Sequence, residues 1–211
     1  MRLILVRHGN AHAGLHGVIA GPKHCRGLTD LGRVQAARLA DHLAARDGAG
    51  VDRLVASEIP RAVETAEILA PALGMASPVP RDCDLCEVHT GEADGLEWTE
   101  HGRIHGSFDM AAEPDRLFAP GGDSWTSFHE RVRGVMDRLA TDHPDSTVMA
   151  VCHAGVIAAS LSVMLAVQQS PLARVLPTNT GLTEWEHDPA GGHWTLRSYN
   201  TTTHLNGADP V

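Results

Sequence analysis

Two runs of apolar residues stand out along the chain because almost no polar side chain interrupts them. They are Leu3–Val6 and Thr147–Cys152. Such aliphatic and β-branched runs are typical of strands that are buried on both faces, as in a parallel sheet. Shorter runs predict three further strands at Asp52–Ala56, Leu182–Trp185 and Trp194–Tyr199.

Segments with helical spacing lie between these strands. The predicted helices are Thr29 or Asp30 to about Arg46, Pro60 to about Leu73, Ser124 to about Thr141, and about Val156 onward. Thr29 is a suitable N-cap, Pro60 suits a first helical turn, and Gly74 suits a helix end. Val79–Arg81 predicts at most a short edge strand, because proline cannot donate to a ladder.

This alternation of strands and helices predicts the fold class. It favours an α/β protein, a three-layer α/β/α sandwich with a mostly parallel central sheet. We expect one domain over residues 1–205 and a C-terminal tail at 206–211. Residues 87–122 are irregular and rich in Gly, His and acidic residues. We expect this lid-like region to hold short helices over the edge of the sheet.

Composition and charge exclude some classes of partner. The chain has 211 residues, 43% hydrophobic and 20% charged, and a formal net charge of −9. That charge argues against nucleic acid or an anionic membrane as a partner. No apolar stretch reaches membrane-spanning length. The chain starts directly into a predicted strand, so we expect no signal peptide and a cytoplasmic location.

Cysteine spacing leaves one alternative open. Cys83 and Cys86 have the spacing of a metal-ligand pair, and His24-Cys25 could supply two more ligands. A single C-x-x-C without a second matched pair is a weak zinc signal, so we expect no metal. The alternative to zinc is four reduced thiols, with Cys152 buried inside its strand.

Two histidines follow the two longest apolar runs. Arg7-His8-Gly9 comes directly after the first run, and His153-Ala154-Gly155 comes directly after the second. In an open α/β sheet, ligands bind at the carboxyl ends of the strands. Core packing alone does not explain two histidines in this setting, so we interpret them as parts of an active site.

Two further residues have the right chemistry for this site. Arg61 lies in the first turn of a predicted helix, where the side chain and the helix dipole both favour an anion. A surface salt bridge with Glu58 or Glu64 is its alternative role. Glu87 precedes two glycines that predict tight turns, and its alternative role is that of a solvated loop carboxylate. Thr65, one turn after Arg61, serves either the site or helix packing.

Several segments, taken in order over residues 3–205, form a known pattern. They are Arg7-His8-Gly9, Leu28-Thr29-x-x-Gly32-x-x-Gln35-Ala36, Ser57-x-x-x-Arg61-Ala62-x-x-Thr65-Ala66, Leu85-x-Glu87-x-x-x-Gly91-x-x-x-Gly95-Leu96, Pro120–Ser124 with Phe128 and Arg131, Val151-x-His153-Ala154-Gly155, and Tyr199-Asn200 with His204-Leu205. The chain therefore resembles the histidine phosphatase superfamily, the phosphoglycerate mutase-like proteins.

The resemblance implies a division of roles. His8 would be the nucleophile that carries the phosphoryl group, and it must attack as a neutral ring. Arg7, Arg61 and His153 would clamp the phosphoryl oxygens in place of a metal, so no cofactor is expected. Glu87 would protonate the leaving oxygen and then activate water.

Some positions depart from the family pattern and concern the substrate. One branch of the superfamily carries its acid directly after the second histidine. Here that position is Ala154, which points to the mutase-like branch. Asn10 stands where the family usually has Glu or Gln, and the following stretch to residue 26 suggests a modified substrate rim. We predict substrate contacts for Asn10, His12, Gly21 and Ala154.

The charge of the lid-like region decides between the possible reactions. Between Gly95 and Pro120, Arg103 and Arg116 are outnumbered by Asp and Glu residues. Such a lid should attract a triply charged acid poorly and admit water. We therefore expect a phosphatase acting on a small phosphorylated metabolite. A phosphoglycerate mutase and a catalytically silent phosphate-binding module are the alternatives, and a homodimer is left open.

Overall fold

The computed structural model describes residues 1–15, 17–106, 112–167 and 174–206, built around a five-stranded sheet. The strands are β1 Arg2–Arg7, β2 Arg53–Ala56, β3 Thr147–Cys152, β4 Leu182–Asp188 and β5 His193–Thr201. Their order across the sheet is β2-β3-β1-β4-β5. The pairings β2–β3 and β3–β1 are parallel, whereas β1–β4 and β4–β5 are antiparallel. Four of the five strands therefore point the same way, as predicted.

Helices cover both faces of this sheet. They are α1 His12–Leu15, α2 Asp30–Ala44, α3 Pro60–Leu69, α4 Trp98–His105, α5 Trp125–Asp142 and α6 Ala154–Leu165. Leu3 and Leu5 of β1 pack in a buried cluster with residues of α5 and α6. Ile4 and Val6 belong to a second cluster with residues of α2 and α3. The α/β/α sandwich is thereby confirmed, and the apolar run of β1 is explained by burial on both faces.

Helix ends follow the predicted signals closely. Thr29 is the N-cap of α2, since its side chain accepts a hydrogen bond from the Gly32 amide. Ser124 caps α5 in the same way through Ser127. The helix that begins at Pro60 ends as an α-helix at Leu69 and continues as a 3-10 turn to Leu73. Gly74 then closes it with a φ of 66°.

The peripheral segments differ in how regular they are. The predicted edge strand is reduced to a single parallel bridge between Ala56 and Arg81. The lid-like region contains a 3-10 turn, Gly91–Ala93, and α4. Residues 107–111 and 207–211, which include most of the predicted tail, lie outside the described residues. No helix in the described ranges is both long and apolar enough to cross a membrane.

Candidate active site

The parallel pairing of β1 and β3 brings the two histidines together. Arg7 pairs with Cys152 at the ends of these strands, and the His8 amide donates to the Cys152 carbonyl at 3.0 Å. The next residue along each strand direction is a histidine. The rings of His8 and His153 consequently lie with their centroids 5.1 Å apart.

Two partners determine the tautomer of His8. Its Nδ1 lies 2.7 Å from the Gly9 carbonyl oxygen, and its Nε2 lies 3.0 Å from Nε of Arg61. A guanidinium is always protonated and can only donate. We therefore assign the lone pair to Nε2 and the proton to Nδ1, which donates to the Gly9 carbonyl.

The surroundings of His8 also keep its ring uncharged. The residue is buried, and this desolvation lowers the pKa of His8 well below its ordinary value. The nearby guanidinium groups of Arg61 and Arg7 lower it further, against a smaller opposite effect of the Gly9 carbonyl. At neutral pH the ring is therefore a neutral acceptor at Nε2.

Arg61 reaches the site instead of forming the alternative surface salt bridge. Besides its bond to His8, its Nη1 donates to the Ala20 carbonyl at 2.7 Å. Glu64, one of the two predicted partners, pairs with Arg33 at 2.7 Å. Arg61 is itself only 7% exposed, so its charge is directed into the cleft rather than into solvent.

Thr65 and Arg7 support the same cluster. Thr65 accepts a hydrogen bond from the Gly9 amide at 3.1 Å and donates to the Arg61 carbonyl at 2.7 Å. Arg7 donates through Nη1 to the carbonyl of Pro177 at 2.5 Å. Its Nε is buried without a hydrogen-bond partner in the described part of the chain. Arg7 thus retains an unused donor next to His8.

Glu87 is held by two backbone amides, one at the start of α6 and one in its own loop. Its Oε2 accepts from the Gly155 amide at 3.0 Å, and its Oε1 accepts from the Val88 amide at 3.2 Å. A side chain on Gly155 would collide with this carboxylate, because its Cβ would lie 2.8 Å from Glu87 Cδ. Because Gly155 has no side chain, the Glu87 carboxylate can contact the start of α6, directly after His153.

Arg131 fixes the loop that carries this acid. It donates to the carbonyl oxygens of Cys86 at 2.8 Å and Glu87 at 3.2 Å. Its second guanidinium nitrogen forms an ion pair with Asp123 at 2.6 Å. Both side chains are largely buried, so the loop is tied to α5 by charge-assisted hydrogen bonds.

His153 lies behind His8 rather than on the cleft surface. Its ring is fully buried, and Nε2 lies 2.8 Å from Ser57 Oγ. Nδ1 has no hydrogen-bond partner among the described residues. Burial, then the charge of Arg61, lowers the pKa of His153 well below its ordinary value. The ring is therefore neutral at pH 7, with one nitrogen still to be used.

Arg7, His8, Arg61 and Glu87 line a cleft of about 370 Å³. Its described lining residues are Arg7, His8, Asn10, Ala11, Ala13, Gly14, Val18, Ile19, Ala20, Gly21, Ile59, Arg61, Glu87, Val88, Thr90, Trp98, Phe118, Ala154 and Asn179. The nucleophile candidate, both arginines and the acid candidate thus share one cavity. Away from them the walls are mostly apolar, and Trp98 packs edge-on against Phe118 with centroids 5.8 Å apart.

The predicted substrate residues separate into two groups. Asn10, Gly21 and Ala154 line the cleft, whereas His12 does not belong to the lining. The Asn10 side chain accepts from the Thr29 hydroxyl at 2.8 Å, and the Gly21 amide donates to Asp94 at 2.8 Å. Both positions are therefore fixed in place. Their contacts with a substrate remain predictions.

Sequence reasoning assigned no role to two polar residues at the site. Asn179 donates through Nδ2 to the His8 carbonyl at 2.9 Å, and Ser57 contacts His153. Ser57 had a signal, since it directly follows the second predicted strand. Asn179 follows no strand, so nothing in its local sequence indicated the site.

Comparison with known proteins decides the family. The family model described as histidine phosphatase superfamily (branch 1) matches residues 3–202. The chain belongs to the histidine phosphatase superfamily. This match confirms the predicted family, and the description of the model names branch 1 of the superfamily.

Relatives of this histidine phosphatase include phosphatases and mutase-like proteins. It is 28% identical to phosphoglycerate mutase-like protein 4 of Arabidopsis thaliana, over 96% of this chain and 86% of the relative. It is 29% identical to the glucosyl-3-phosphoglycerate phosphatase of Mycobacterium tuberculosis, over 92% of this chain and 86% of that relative. The structure of a mycobacterial glucosyl-3-phosphoglycerate phosphatase complexed with VO3 superposes with a TM-score of 0.76 at 26% identity, covering 95% of this chain and 99% of that one. Family and relatives together identify a phosphoric monoester hydrolase.

Proposed function

We propose that this histidine phosphatase hydrolyses a small phosphomonoester without a metal, through a phosphohistidine on His8 and with Glu87 as proton donor. The observation that carries the proposal is the double anchoring of the His8 ring. Nδ1 donates to the Gly9 carbonyl and Nε2 accepts from Arg61, so the lone pair faces a permanent cation. A nucleophilic nitrogen in that position has the protonation state that attack on phosphorus requires.

Arg61 and Arg7 would stabilise the charge that develops on the phosphoryl oxygens. In the structure, Arg61 donates to the nitrogen that must attack. When substrate binds, this bond is replaced by a bond from Arg61 to a phosphoryl oxygen, and His8 Nε2 is released toward phosphorus. Arg7 contributes the Nε donor that is unused in the described structure. Removing one such donor typically costs about 100- to 1,000-fold in rate.

His153 would supply a further donor from behind the nucleophile. The Ser57 hydroxyl accepts from the Ile59 amide and has a single proton, which it can donate to Cys86 Sγ at 3.3 Å or to His153 Nε2 at 2.8 Å. When this proton goes to His153 Nε2, the ring proton resides on Nδ1, the nitrogen without a partner in the described structure. A neutral His153 can then donate that proton in a hydrogen bond to the phosphoryl group.

Glu87 would act first as an acid and then as a base. His8 Nε2 forms the P–N bond while the bond from phosphorus to the leaving oxygen breaks, and this oxygen takes the proton of Glu87. Water then attacks phosphorus, Glu87 takes a proton from the water, and the P–N bond breaks. His8 recovers its lone pair and inorganic phosphate leaves. The proton on Nδ1 stays with the Gly9 carbonyl throughout.

The charges of the lid-like region favour hydrolysis over transfer. Arg103 forms two hydrogen bonds with Glu100, and Arg116 forms an ion pair with Glu113. Neither arginine lines the cleft. A mutase must hold the acidic part of its substrate while the phosphoryl group returns, and these arginines do not serve that purpose.

The apolar walls indicate the kind of alcohol that leaves. Arg7 and Arg61 are the cations among the described lining residues, and both are committed to the phosphoryl group. The remaining walls include Val18, Trp98 and Phe118. We therefore propose a substrate whose alcohol carries no second acidic group and presents an uncharged surface to these side chains.

The test compares wild-type enzyme with His8→Ala on p-nitrophenyl phosphate, in the presence of a strong metal chelator. We expect full wild-type activity and a loss of at least about 10,000-fold in the variant. Equal rates would show that His8 is not the nucleophile, and loss of wild-type activity in chelator would refute metal independence. Efficient interconversion of 3-phosphoglycerate by the wild type would favour the mutase instead.

A further inference from the structure

A second cluster of reactive side chains lies on the loop that carries Glu87. Cys83 and Cys86 converge with His89, and the two sulfur atoms and one ring nitrogen all lie within 4.8 Å of one another. Cys83 Sγ lies 3.4 Å from His89 Nε2. Both cysteines are free thiols, Cys86 being buried and Cys83 open to solvent. Nothing in the proposed reaction uses these three groups.

The spacing of these atoms is that of ligands around one soft divalent ion. Zinc binds sulfur at about 2.3 Å and histidine nitrogen at about 2.0 Å in a tetrahedron, which separates the two ligand atoms by about 3.5 Å. Cys83 Sγ and His89 Nε2 already stand at that separation. A 3-10 turn over Cys83–Leu85, with the Cys86 amide bonded to the Cys83 carbonyl at 2.9 Å, brings the two thiols to the same side.

The histidine is also oriented as a metal ligand. His89 Nδ1 lies 3.3 Å from Asp123 Oδ1, and the His89 amide donates to Oδ2 of the same carboxylate at 2.9 Å. Asp123 is itself held by Arg131. A carboxylate on the outer ring nitrogen fixes the tautomer and leaves the inner nitrogen free to bind, as metal-ligating histidines generally require.

We propose that Cys83, Cys86 and His89 form a zinc site with an open fourth position on the Cys83 side. Binding forms two Zn–S bonds and one Zn–N bond, and the protons carried by the two sulfur atoms and by Nε2 of His89 pass to solvent. The site differs from the one that spacing suggested. His24 instead contacts Asp94 at 3.3 Å, and Cys25 lies 3.6 Å from Arg61.

The position of the ion gives it a structural effect on the active site. Glu87 stands between the ligands Cys86 and His89, so an ion that joins them closes the backbone around the acid. Ser57 extends the connection, since its hydroxyl contacts Cys86 Sγ at 3.3 Å and His153 Nε2 at 2.8 Å. The zinc takes no part in the chemical step. It restrains a loop that Arg131 already holds through the Cys86 and Glu87 carbonyls, so removal of the ion should leave hydrolysis of p-nitrophenyl phosphate at its wild-type rate. The proposal does not depend on which reaction the enzyme performs.

The test is metal binding by the whole, reduced, metal-free protein. Titration with Co²⁺ should give one equivalent per chain, with thiolate-to-cobalt charge transfer and tetrahedral bands, and Zn²⁺ should displace the cobalt. Cys83→Ser and His89→Gln should each weaken zinc binding by at least about 100-fold, the upper end of what removing a mere supporting residue costs. Cys25→Ser is the matched control and should bind zinc as the wild type does.

Two results would overturn the zinc site. One is that cobalt binds without a thiolate charge-transfer band, or that Cys83→Ser and His89→Gln both bind the metal as tightly as the wild type does. The other is that the reduced wild-type protein binds no zinc. Hydrogen exchange measures the restraint of the loop independently of activity. Zinc should slow exchange of the amides at residues 83–90 in the wild type and not in His89→Gln.

Discussion

Replacement of Gly155 by alanine should displace the Glu87 carboxylate and leave the fold intact. The new Cβ would lie 2.8 Å from Glu87 Cδ, whereas ordinary contact begins at about 3.4 Å. Oε1 of Glu87 would lie closer still to the new Cβ, so the carboxylate must retreat by about 1 Å or more and loses the geometry of its 3.0 Å bond from the Gly155 amide. Gly155 is the second residue of α6 and has no positive φ, so the helical backbone there accepts alanine without strain. Stability should therefore hold while catalysis falls.

The size of the loss should depend on the leaving group. A displacement of this order can cost about 100-fold, and a general acid contributes about 100- to 10,000-fold. We expect kcat/KM of Gly155→Ala to fall about 100-fold for an alkyl phosphate, whose alkoxide needs a proton. For p-nitrophenyl phosphate, whose leaving group departs without one, the loss should stay below about 10-fold. Because kcat/KM reports only steps through departure of the leaving group, it isolates this role.

Gly134→Ala provides the matched control. Gly134 lies inside α5, and a Cβ there would meet no atom within 4 Å. Its kcat/KM should equal that of the wild type for both substrates. Equal losses for alkyl and aryl phosphates in Gly155→Ala, or no loss at all, would refute the assignment of Glu87 as the acid.

Other substitutions and conditions test the remaining parts of the site. Arg61→Lys should lower kcat/KM by about 100-fold or more, because lysine lacks the paired planar donors that reach His8 and a phosphoryl oxygen together; near-wild-type kinetics would contradict this. Thermal unfolding should become easier as the pH falls from 7 to 5. Burial, then Arg61, lowers the pKa of His8 and His153, so the unfolded chain binds protons that the native protein does not. Each of the two histidines should lower the free energy of unfolding by about 1.4 kcal/mol for every pH unit below the ordinary pKa of histidine. His153→Gln should therefore lose less stability than the wild type on acidification. Trp98→Ala should raise KM by about 3- to 10-fold for aryl phosphates, where it removes an aromatic contact, and leave KM for methyl phosphate unchanged.

The central layer of the fold was predictable because its sequence signals are local. Leu3–Val6 alternates between two buried clusters, and this double burial produces the uninterrupted apolar run. The positions of His8 and His153 follow from strand ends and parallel pairing alone. Thr29 and Gly74 are likewise local signals, since a cap depends on residues within one turn.

Contacts between distant segments were not predictable in the same way. Asn179 reaches His8 from 171 residues away, and Ser57 reaches His153 from 96 residues away. The contact of Cys83 with His89 was also not predicted, since spacing offered only His24-Cys25 as possible further ligands. His89 lies only three residues beyond Cys86, but its ring is turned toward the thiols by Asp123, which comes from the far side of the lid-like region.

The formation of a phosphorylated histidine tests the central claim most directly. Enzyme mixed with substrate should be quenched in alkali during turnover, digested, and mapped by mass spectrometry. We predict a phosphoryl group on His8 that is stable in alkali and lost in acid, and that is absent in His8→Ala. A phosphoryl group on another side chain, or turnover at the wild-type rate without any adduct on His8, would contradict the mechanism.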